Sequence, residues 1–184
     1  MSAPTSKRRR SPTAAVHLEL PSGSVEDTQA FGEQVGRLLQ AGDVVALYGP
    51  VGSGKTTFLQ GLARGLGRDP GTIKSPTFVL MREYPGPAPL VHIDGYRLEG
   101  PTAVAWLDVD LMFSPRKITV IEWAERFEGL LPDARLEIWL SHVSANRRRL
   151  RFVSSGTRAA EVIARLQPAT PQPGPASDDE TPRD

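Results

Sequence analysis

The chain has 184 residues, a formal net charge of +1 and no cysteine. This length suits one domain with a hydrophobic core, and the lack of cysteine excludes disulfides, thiolate metal sites and a cysteine nucleophile. No apolar run approaches a membrane span and residues 1–10 lack the apolar segment of a secretory signal, so we expect a soluble cytoplasmic protein without an overall field for nucleic acid or lipid.

Both ends of the chain are predicted to be disordered. Residues 1–15 are rich in Ser, Pro, Thr and Arg and show no hydrophobic periodicity, whereas residues 168–184 are Pro-rich and then acidic. The run Lys7-Arg8-Arg9-Arg10 is interpreted as part of a solvated tail, with an RNA-contacting arm as the alternative. The folded domain is therefore predicted to cover residues 16–167.

The domain is predicted to open with a strand and a helix. Residues 16–20 alternate between apolar and polar side chains, and Pro21-Ser22-Gly23 is expected to end this strand. Ser24 is placed to cap a helix that ends before Gly42. The apolar stripe of that helix consists of Thr28, Phe31, Val35, Leu38 and Leu39.

The next segment, Gly49-Pro50-Val51-Gly52-Ser53-Gly54-Lys55-Thr56, matches the pattern G-x-x-x-x-G-K-[ST] at every fixed position. It follows the apolar run 44–48, a predicted buried strand, and precedes a helical pattern over residues 58–67 that Gly67 is placed to end. Its glycines allow consecutive N–H groups to converge on phosphate oxygens, Lys55 supplies a positive charge, and the Thr56 hydroxyl can bind Mg²⁺. The segment therefore predicts nucleoside triphosphate binding, with the start of the preceding helix as a candidate wall for the base.

Two acidic residues follow predicted strands further along the chain. A loop through Ser75 to Phe78 leads into a strand that continues to Met81, and residues 90–94 form the next strand, which ends in Asp94. The run 118–121 precedes Glu122 in the same way. Open α/β sheets bind ligands at the carboxyl ends of their strands, so both carboxylates are candidates to hold Mg²⁺ or orient a water.

The remaining segments complete the predicted fold. Residues 102–113 are expected to form one or two short helices, residues 135–140 and 150–153 an antiparallel strand pair around a turn at 144–149, and residues 157–167 a closing helix. The arginines at 147–149 are interpreted either as a contact for nucleotide or RNA or as part of a solvated hairpin. We predict an α/β, three-layer fold of the P-loop NTPase type, with a central, mostly parallel sheet flanked by helices and a C-terminal antiparallel strand pair.

Four segments together resemble one family. The phosphate loop, Ser75-Pro76-Thr77-Phe78, the H-x-D-x-Y-R-L run from His92 and the I-E-W run at Glu122 closely resemble TsaE (also called YjeE), over roughly residues 24 to 150. TsaE is the small ATPase of bacterial tRNA threonylcarbamoyladenosine synthesis. Ala124 departs from the family, which usually has proline there.

The resemblance implies a set of site residues. It implies that the ATP phosphates are held by Gly52, Ser53, Gly54, Lys55, Thr56 and Thr57. It implies that Mg²⁺ is held by Thr56, Glu122 and Asp94, and that the base lies near Val25, Thr28 and Asn146. Ser75 to Phe78 would form a nucleotide-responsive loop.

The resemblance also implies a role. The chain would bind the transferase subunit TsaD with its partner TsaB, and ATP hydrolysis would reset that complex between rounds of tRNA modification. Contact of the chain itself with the tRNA would be indirect, with direct contact left open. Lys55, Asp94 and Glu122 are the expected catalytic residues, with slow hydrolysis that a partner completes. The alternatives are a P-loop small-molecule kinase and a nucleotide-gated binding module without significant turnover.

Overall fold

The computed structural model describes residues 15–75, 80–98 and 107–168, which build one seven-stranded sheet with helices on both faces. The strands are β1 (His17–Ser22), β2 (Val44–Tyr48), β3 (Met81–Tyr84), β4 (Leu90–Asp94), β5 (Ile118–Glu122), β6 (Arg135–His142) and β7 (Arg148–Ser155). The α-helices are α1 (Val25–Leu38), α2 (Lys55–Gly65), α3 (Val109–Met112) and α4 (Thr157–Ala164), and 3₁₀ turns occupy Pro70–Thr72 and Ala124–Phe127. Within these described ranges, no helix is long and apolar enough to cross a membrane.

The strand order is β1-β7-β6-β2-β5-β4-β3. The four central strands β6, β2, β5 and β4 run parallel, while β3 pairs antiparallel with β4 on one side and β7 and β1 continue antiparallel on the other. The predicted fold class is therefore confirmed, including the antiparallel pair formed by β6 and β7. Since parallel strands share their direction, the carboxyl ends of β2, β4 and β5 meet at one edge of the sheet.

Side chains of the central strands alternate between two hydrophobic clusters. Val45 and Leu47 of β2 face the larger cluster, to which α1, α2 and α4 contribute, whereas Ala46 and Tyr48 face a smaller cluster with Met112 and the turn at Ala124–Phe127. Every residue of β2, β4 and β5 is buried, as expected for strands covered on both faces. This burial holds the polar residues of β4 and β5 in fixed positions.

Helix α1 begins where its capping residues predict. Ser24 has an extended backbone and its hydroxyl accepts a hydrogen bond from the Asp27 backbone N–H at 3.0 Å. The Asp27 carboxylate in turn accepts from the Gly23 N–H at 2.8 Å, so two N–H groups at the helix start are satisfied reciprocally. The predicted stripe residues Thr28, Phe31 and Val35 are buried.

Glycines bring α1 and α2 into backbone contact. A Cβ added at Gly32 would lie 2.1 Å from the Phe58 carbonyl oxygen, and one added at Gly61 would lie 2.0 Å from the Gln29 carbonyl oxygen. Gly36 and Gly65 show the same crowding one turn further on. The two helices can therefore lie this close only because these four positions have no side chain.

Several predicted boundaries were wrong. The first strand continues through Pro21 and Ser22, which an edge strand tolerates because the missing N–H of proline can face solvent. The helix after the phosphate loop starts at Lys55 rather than near 58 and ends at Gly65, with Gly67 in the left-handed conformation just beyond it. Helix α4 ends at Ala164, before the predicted residue 167.

The strand pair β6–β7 corrects a further prediction. Both strands are longer than the alternation indicated, so the turn between them covers residues 143–147 and not 144–149. Arg148 and Arg149 consequently belong to β7, and in a strand consecutive side chains point to opposite faces of the sheet.

Some predictions fall on residues that the structure leaves undescribed. These are most of the loop after Ser75 and the first part of the helical region predicted at 102–113, of which α3 is the described portion. The strand predicted to open at Thr77 and continue to Met81 was wrong in its described part, because Leu80 has a left-handed backbone (φ 59°) and β3 runs from Met81 to Tyr84. Apart from residues 15 and 168, the two tails also lie outside the described ranges, and their disorder stays a prediction.

We expect Gly32→Ala to lower the free energy of unfolding by about 2 kcal/mol, since the added methyl group must push α1 and α2 apart. On an isolated helix the same change would stabilise by about 1 kcal/mol. Denaturant unfolding measures the difference. Gly71→Ala is the control, since the three atoms nearest its Cβ position all belong to the Asp69 side chain, the closest at 3.2 Å. Equal stability of the two variants would contradict the close packing.

Candidate functional site

The loop between β2 and α2 needs glycine at two positions, one because another main chain lies too close for a side chain and one because the backbone is left-handed. Gly49 follows β2, and a Cβ there would lie 2.2 Å from the Leu140 carbonyl oxygen of β6. Gly54 has φ +101° and is the residue from which α2 starts. The loop therefore turns sharply against the sheet edge and directs the chain into α2.

The first turn of α2 is open to an anion. Gly54 provides no side-chain cap, and the first turn contains no acidic residue. The N–H groups at a helix start carry a partial positive charge and need an acceptor. Ser53, a fully buried residue of the loop, has a hydroxyl without a hydrogen-bond partner among the described residues. The uncapped N–H groups at the start of α2 fit phosphate oxygens.

Lys55 carries a nearly buried positive charge at the same place. Its Nζ donates to the carbonyl oxygens of Gly49 at 2.7 Å and Pro50 at 3.0 Å, and lies 3.8 Å from the ring centroid of Trp123. Burial lowers the pKa of Lys55 from its usual value, while the carboxylates of Glu122, Glu125 and Asp94 act in the opposite direction. The ammonium group is thus held by dipoles and a ring face rather than by a direct ion pair.

A hydrogen-bonded chain links α2 to the sheet through Glu122. The Thr56 hydroxyl lies 3.0 and 2.9 Å from the two carboxylate oxygens of Glu122. On the other side, Nε2 of His92 lies 3.0 Å from Glu122 Oε1, and both side chains are almost fully buried. Because the adjacent strands β4 and β5 are parallel, His92 and Glu122 reach the same face of the sheet.

Asp94 lies beside Glu122 at the end of the neighbouring strand. The two residues are partners in the β4–β5 register. Asp94 Oδ1 accepts a hydrogen bond from the Tyr96 backbone N–H at 2.9 Å, and the Ser75 hydroxyl donates to Oδ2. The carboxylate is therefore oriented from both sides.

Lys55, Thr56, Asp94 and Glu122 line one cavity of about 340 Å³ at the carboxyl edge of the sheet. Its walls combine the loop, the start of α2 and the ends of β4 and β5. The lining residues are Val51, Gly52, Gly54, Lys55, Thr56, Thr57, Ser75, Asp94, Tyr96, Glu122 and Trp123.

The structure brings together most of the predicted site residues. Of those expected to contact phosphate or metal, all line this cavity except Ser53, whose side chain is fully buried. Val25, Thr28 and Asn146, expected near the base, are not among the lining residues. Thr28 is fully buried and its hydroxyl bonds Ser22 and Ser24, although its methyl group comes within 3.7 Å of the Cβ position of Gly54. The assignments of these three residues stay predictions.

Sequence reasoning missed two contributors. His92 precedes Asp94 by two positions on a strand, and this spacing places both on one face, a signal that was available. Trp123, the last residue of the I-E-W run, forms part of the cavity wall with its indole against Lys55. Its backbone is left-handed, with φ 60°, which a bulky residue rarely adopts and no sequence pattern indicates.

A metal ion in this cavity would need ligands from beyond the protein's acidic residues. Within the described ranges, no group of three or more His, Asp or Glu side chains is arranged to hold a metal. Thr56 and Glu122 nevertheless place one hydroxyl and one carboxylate together, which suits an ion that also binds phosphate oxygens.

Comparisons with known proteins agree on one family. The family model described as "Threonylcarbamoyl adenosine biosynthesis protein TsaE" matches residues 22–150. A Bacillus subtilis protein named tRNA threonylcarbamoyladenosine biosynthesis protein TsaE is 37% identical over 134 residues, covering 72% of this chain and 83% of the relative. A Streptomyces coelicolor protein of the same name is 44% identical over 113 residues, covering 59% and 74%. The crystal structure of Bacillus subtilis YdiB superposes with a TM-score of 0.69 at 31% identity, covering 83% of this chain and 95% of that one.

We expect His92→Leu to lower the free energy of unfolding by about 1–3 kcal/mol, because it leaves the buried carboxylate of Glu122 with one hydrogen-bond partner fewer. His92→Gln should retain most of the stability, since its side-chain N–H can replace Nε2. Denaturant unfolding of both variants gives the comparison. Equal loss in the two variants would mean that packing volume, and not the hydrogen bond, is what matters at this position.

Proposed function

Because this chain belongs to the TsaE family of threonylcarbamoyl adenosine biosynthesis proteins, we propose that it is the Mg²⁺-dependent, cytoplasmic ATPase required for threonylcarbamoyladenosine modification of ANN-decoding tRNAs. It acts on the TsaD–TsaB transferase complex and allows that complex to turn over repeatedly. The observation that carries the proposal is the convergence of Lys55, Thr56, Asp94 and Glu122 in one cavity at the start of α2.

The groups at the cavity that can bind phosphate support the proposal that it binds ATP. The first turn of α2 offers uncapped N–H groups, and Lys55 provides the positive charge beside them. The ammonium group of Lys55 donates hydrogen bonds to two carbonyl oxygens of its own loop. A phosphate oxygen is a charged acceptor and forms a stronger hydrogen bond than these carbonyls, so binding gives Lys55 a better partner.

Mg²⁺ fits beside Thr56 and Glu122, with Asp94 adjacent. When bound, the ion would offset phosphate charge. The protein's own side chains are already positioned. The Thr56 hydroxyl hydrogen-bonds the Glu122 carboxylate, and Asp94 is held by Tyr96 and Ser75 with its carboxylate at the cavity. Asp94 or Glu122 accepts a hydrogen bond from the attacking water and orients it toward the terminal phosphate.

The small number of positive charges that line the cavity suggests that hydrolysis is slow without a partner. Of the described residues that line the cavity, Lys55 is the one cation; Arg148 borders the loop at Gly54 but is not among the lining residues. Phosphoryl transfer by related chemistry often depends on an arginine that stabilises charge in the transition state, worth about 10³–10⁵ in rate. A partner surface that supplies such a charge would make hydrolysis conditional on the transferase complex.

The test is ATP hydrolysis with Mg²⁺ by the purified protein, alone and with TsaD–TsaB, alongside multiple-turnover tRNA modification. We expect stimulation by the partners, and Glu122→Gln should suppress both hydrolysis and repeated modification. The matched control is Glu128→Gln, an exposed position after the 3₁₀ turn. Modification that survives Glu122→Gln would favour a nucleotide-gated binding module, and phosphate transfer to a metabolite would favour a kinase.

Lys55→Ala should weaken ATP binding by about 1.5–3 kcal/mol, or roughly one to two decades in affinity, because it removes a charge-assisted hydrogen bond. Isothermal titration calorimetry measures the change. Lys117→Ala is the control, since Lys117 pairs with Glu83 at 2.6 Å near the opposite end of β5. Unchanged affinity in Lys55→Ala would remove the phosphates from this loop.

A further inference from the structure

The sheet has an open face away from the ATPase cavity. On β1, β7 and β6, the side chains opposite the larger hydrophobic cluster form cross-strand rows, one of Glu19, Arg151 and Trp139 and another of Pro21, Arg149 and Ser141. All six side chains are exposed. In the described ranges, the hydrophobic cluster on this side lies over β2, β4 and β5 and does not extend across these rows. We call Trp139, Ser141, Arg149 and Arg151 the basic–aromatic face.

Trp139 is an exposed aromatic residue held in a fixed orientation. It is 42% exposed, yet its ring stacks on buried Tyr48 with a centroid distance of 4.1 Å and an interplanar angle of 7°. Its indole N–H also lies 3.4 Å from Glu137 Oε2. An aromatic side chain that is already ordered loses little conformational entropy when a partner binds, so its orientation favours recognition.

The arginines around Trp139 form no ion pair with the acidic residues that the structure describes: none involves Arg147, Arg149 or Arg151. Glu19 lies across from Arg151 in the β1–β7 register but forms no ion pair with it. Glu137, the acidic residue beside Trp139, is engaged by Arg135 at 2.6 Å. Since the chain carries a net charge of only +1, this group of arginines is a local concentration of positive charge. It leaves the basic–aromatic face complementary to a polyanion.

The spacing of these groups suits a planar ring. The guanidinium carbon of Arg151 lies 5.9 Å from the Trp139 ring centroid, and the Arg151 side chain is exposed. Arg149 lies two residues earlier on the same strand and on the same face, and Arg147 is in the adjoining turn. A base stacked between indole and guanidinium would bring its phosphates toward these arginines.

From this arrangement we propose that the basic–aromatic face binds unpaired nucleotides of an RNA. A base stacks on Trp139 against Arg151, and Arg149 and Arg147 bind the flanking phosphates. Flat stacking surfaces beside unpaired arginines are how open sheets recognise single-stranded RNA. An acidic protein surface would match the charge but not the fixed aromatic platform. This proposal goes beyond ATP hydrolysis and does not depend on it.

The test is fluorescence anisotropy of a labelled short single-stranded RNA titrated with the full-length protein at several salt concentrations. Trp139→Leu should weaken binding about 5-fold or more, which corresponds to the removal of one stacked base. The double variant Arg149→Ser, Arg151→Ser should weaken it at least about 10-fold. The double variant should also make the dependence of log affinity on log salt shallower, by about 0.7 for each RNA phosphate that an arginine no longer neutralises.

Two controls separate this face from other basic segments. Arg116→Ser removes an exposed arginine from the turn before β5, near the opposite edge of the sheet, and should leave RNA affinity unchanged. Replacing Arg8, Arg9 and Arg10 together with serine tests the N-terminal run in the full-length chain. ATPase activity of the face variants should equal that of the parent protein, so failure of this proposal and failure of the ATPase proposal give different results.

The RNA structure and the variants together decide the proposal. A duplex RNA of the same sequence should bind more weakly, because its bases are not free to stack. RNA affinity that falls only in the N-terminal variant, or that is equal in parent and face variants, would overturn the proposal. Unchanged RNA affinity with weakened binding to the TsaD–TsaB complex would instead assign this face to an acidic protein surface.

Discussion

The buried carboxylate of Glu122 is the group on which the arrangement of the site depends. It bonds Thr56 at the start of α2 and His92 on β4, so one side chain joins the helix, its own strand and a neighbouring strand. A carboxylate buried to this degree is tolerated only with such partners, since an unpaired charge in the interior is strongly unfavourable. The parallel register of β4 and β5 makes the His92–Glu122 contact possible. It pairs Asp94 with Glu122 and His92 with Val120, so His92 lies two residues before Asp94 on the same face of the sheet. The hydrogen bonds of Glu122 to Thr56 and His92 therefore both hold α2 against the sheet and orient the carboxylate for its proposed role.

The sheet presents two surfaces of different character, and β7 contributes to both. Arg148 lies beside Gly54, with Nε 3.3 Å from the Cβ position of that residue, and so borders the phosphate loop. Arg149, the next residue, belongs to the basic–aromatic face on the opposite side. Strand alternation alone divides a run of arginines between the side of the Gly49–Thr56 loop and the open face. Two adjacent residues of the same type therefore lie on different faces of the sheet, although both border the hollow between β1 and the turn before β7.

The parts of the fold that follow from local rules were predictable. Ser24 caps α1, the apolar run over β2 is buried, and the loop from Gly49 to Thr56 has the expected strand and helix on either side. Asp94 and Glu122 were placed at strand ends by the same reasoning. What depends on three-dimensional context was not predictable: the left-handed backbone of Trp123, and the extent of β7, whose first residues are arginines that resemble a turn in sequence. The glycines that join α1 and α2 recur at spacings of four, and their importance emerges only when the two helices are seen side by side.

That glycine interface also limits how the protein can change. At most sites in a core, a side chain that is too large can be offset by shortening the one it touches. Here the atoms opposite Gly32 and Gly61 are main-chain carbonyl oxygens, which are identical in all amino acids. No second substitution at Phe58 or Gln29 can remove them. A defect introduced at these positions therefore has no local genetic suppressor, and reversion to glycine is the direct way to restore the original spacing of the helices.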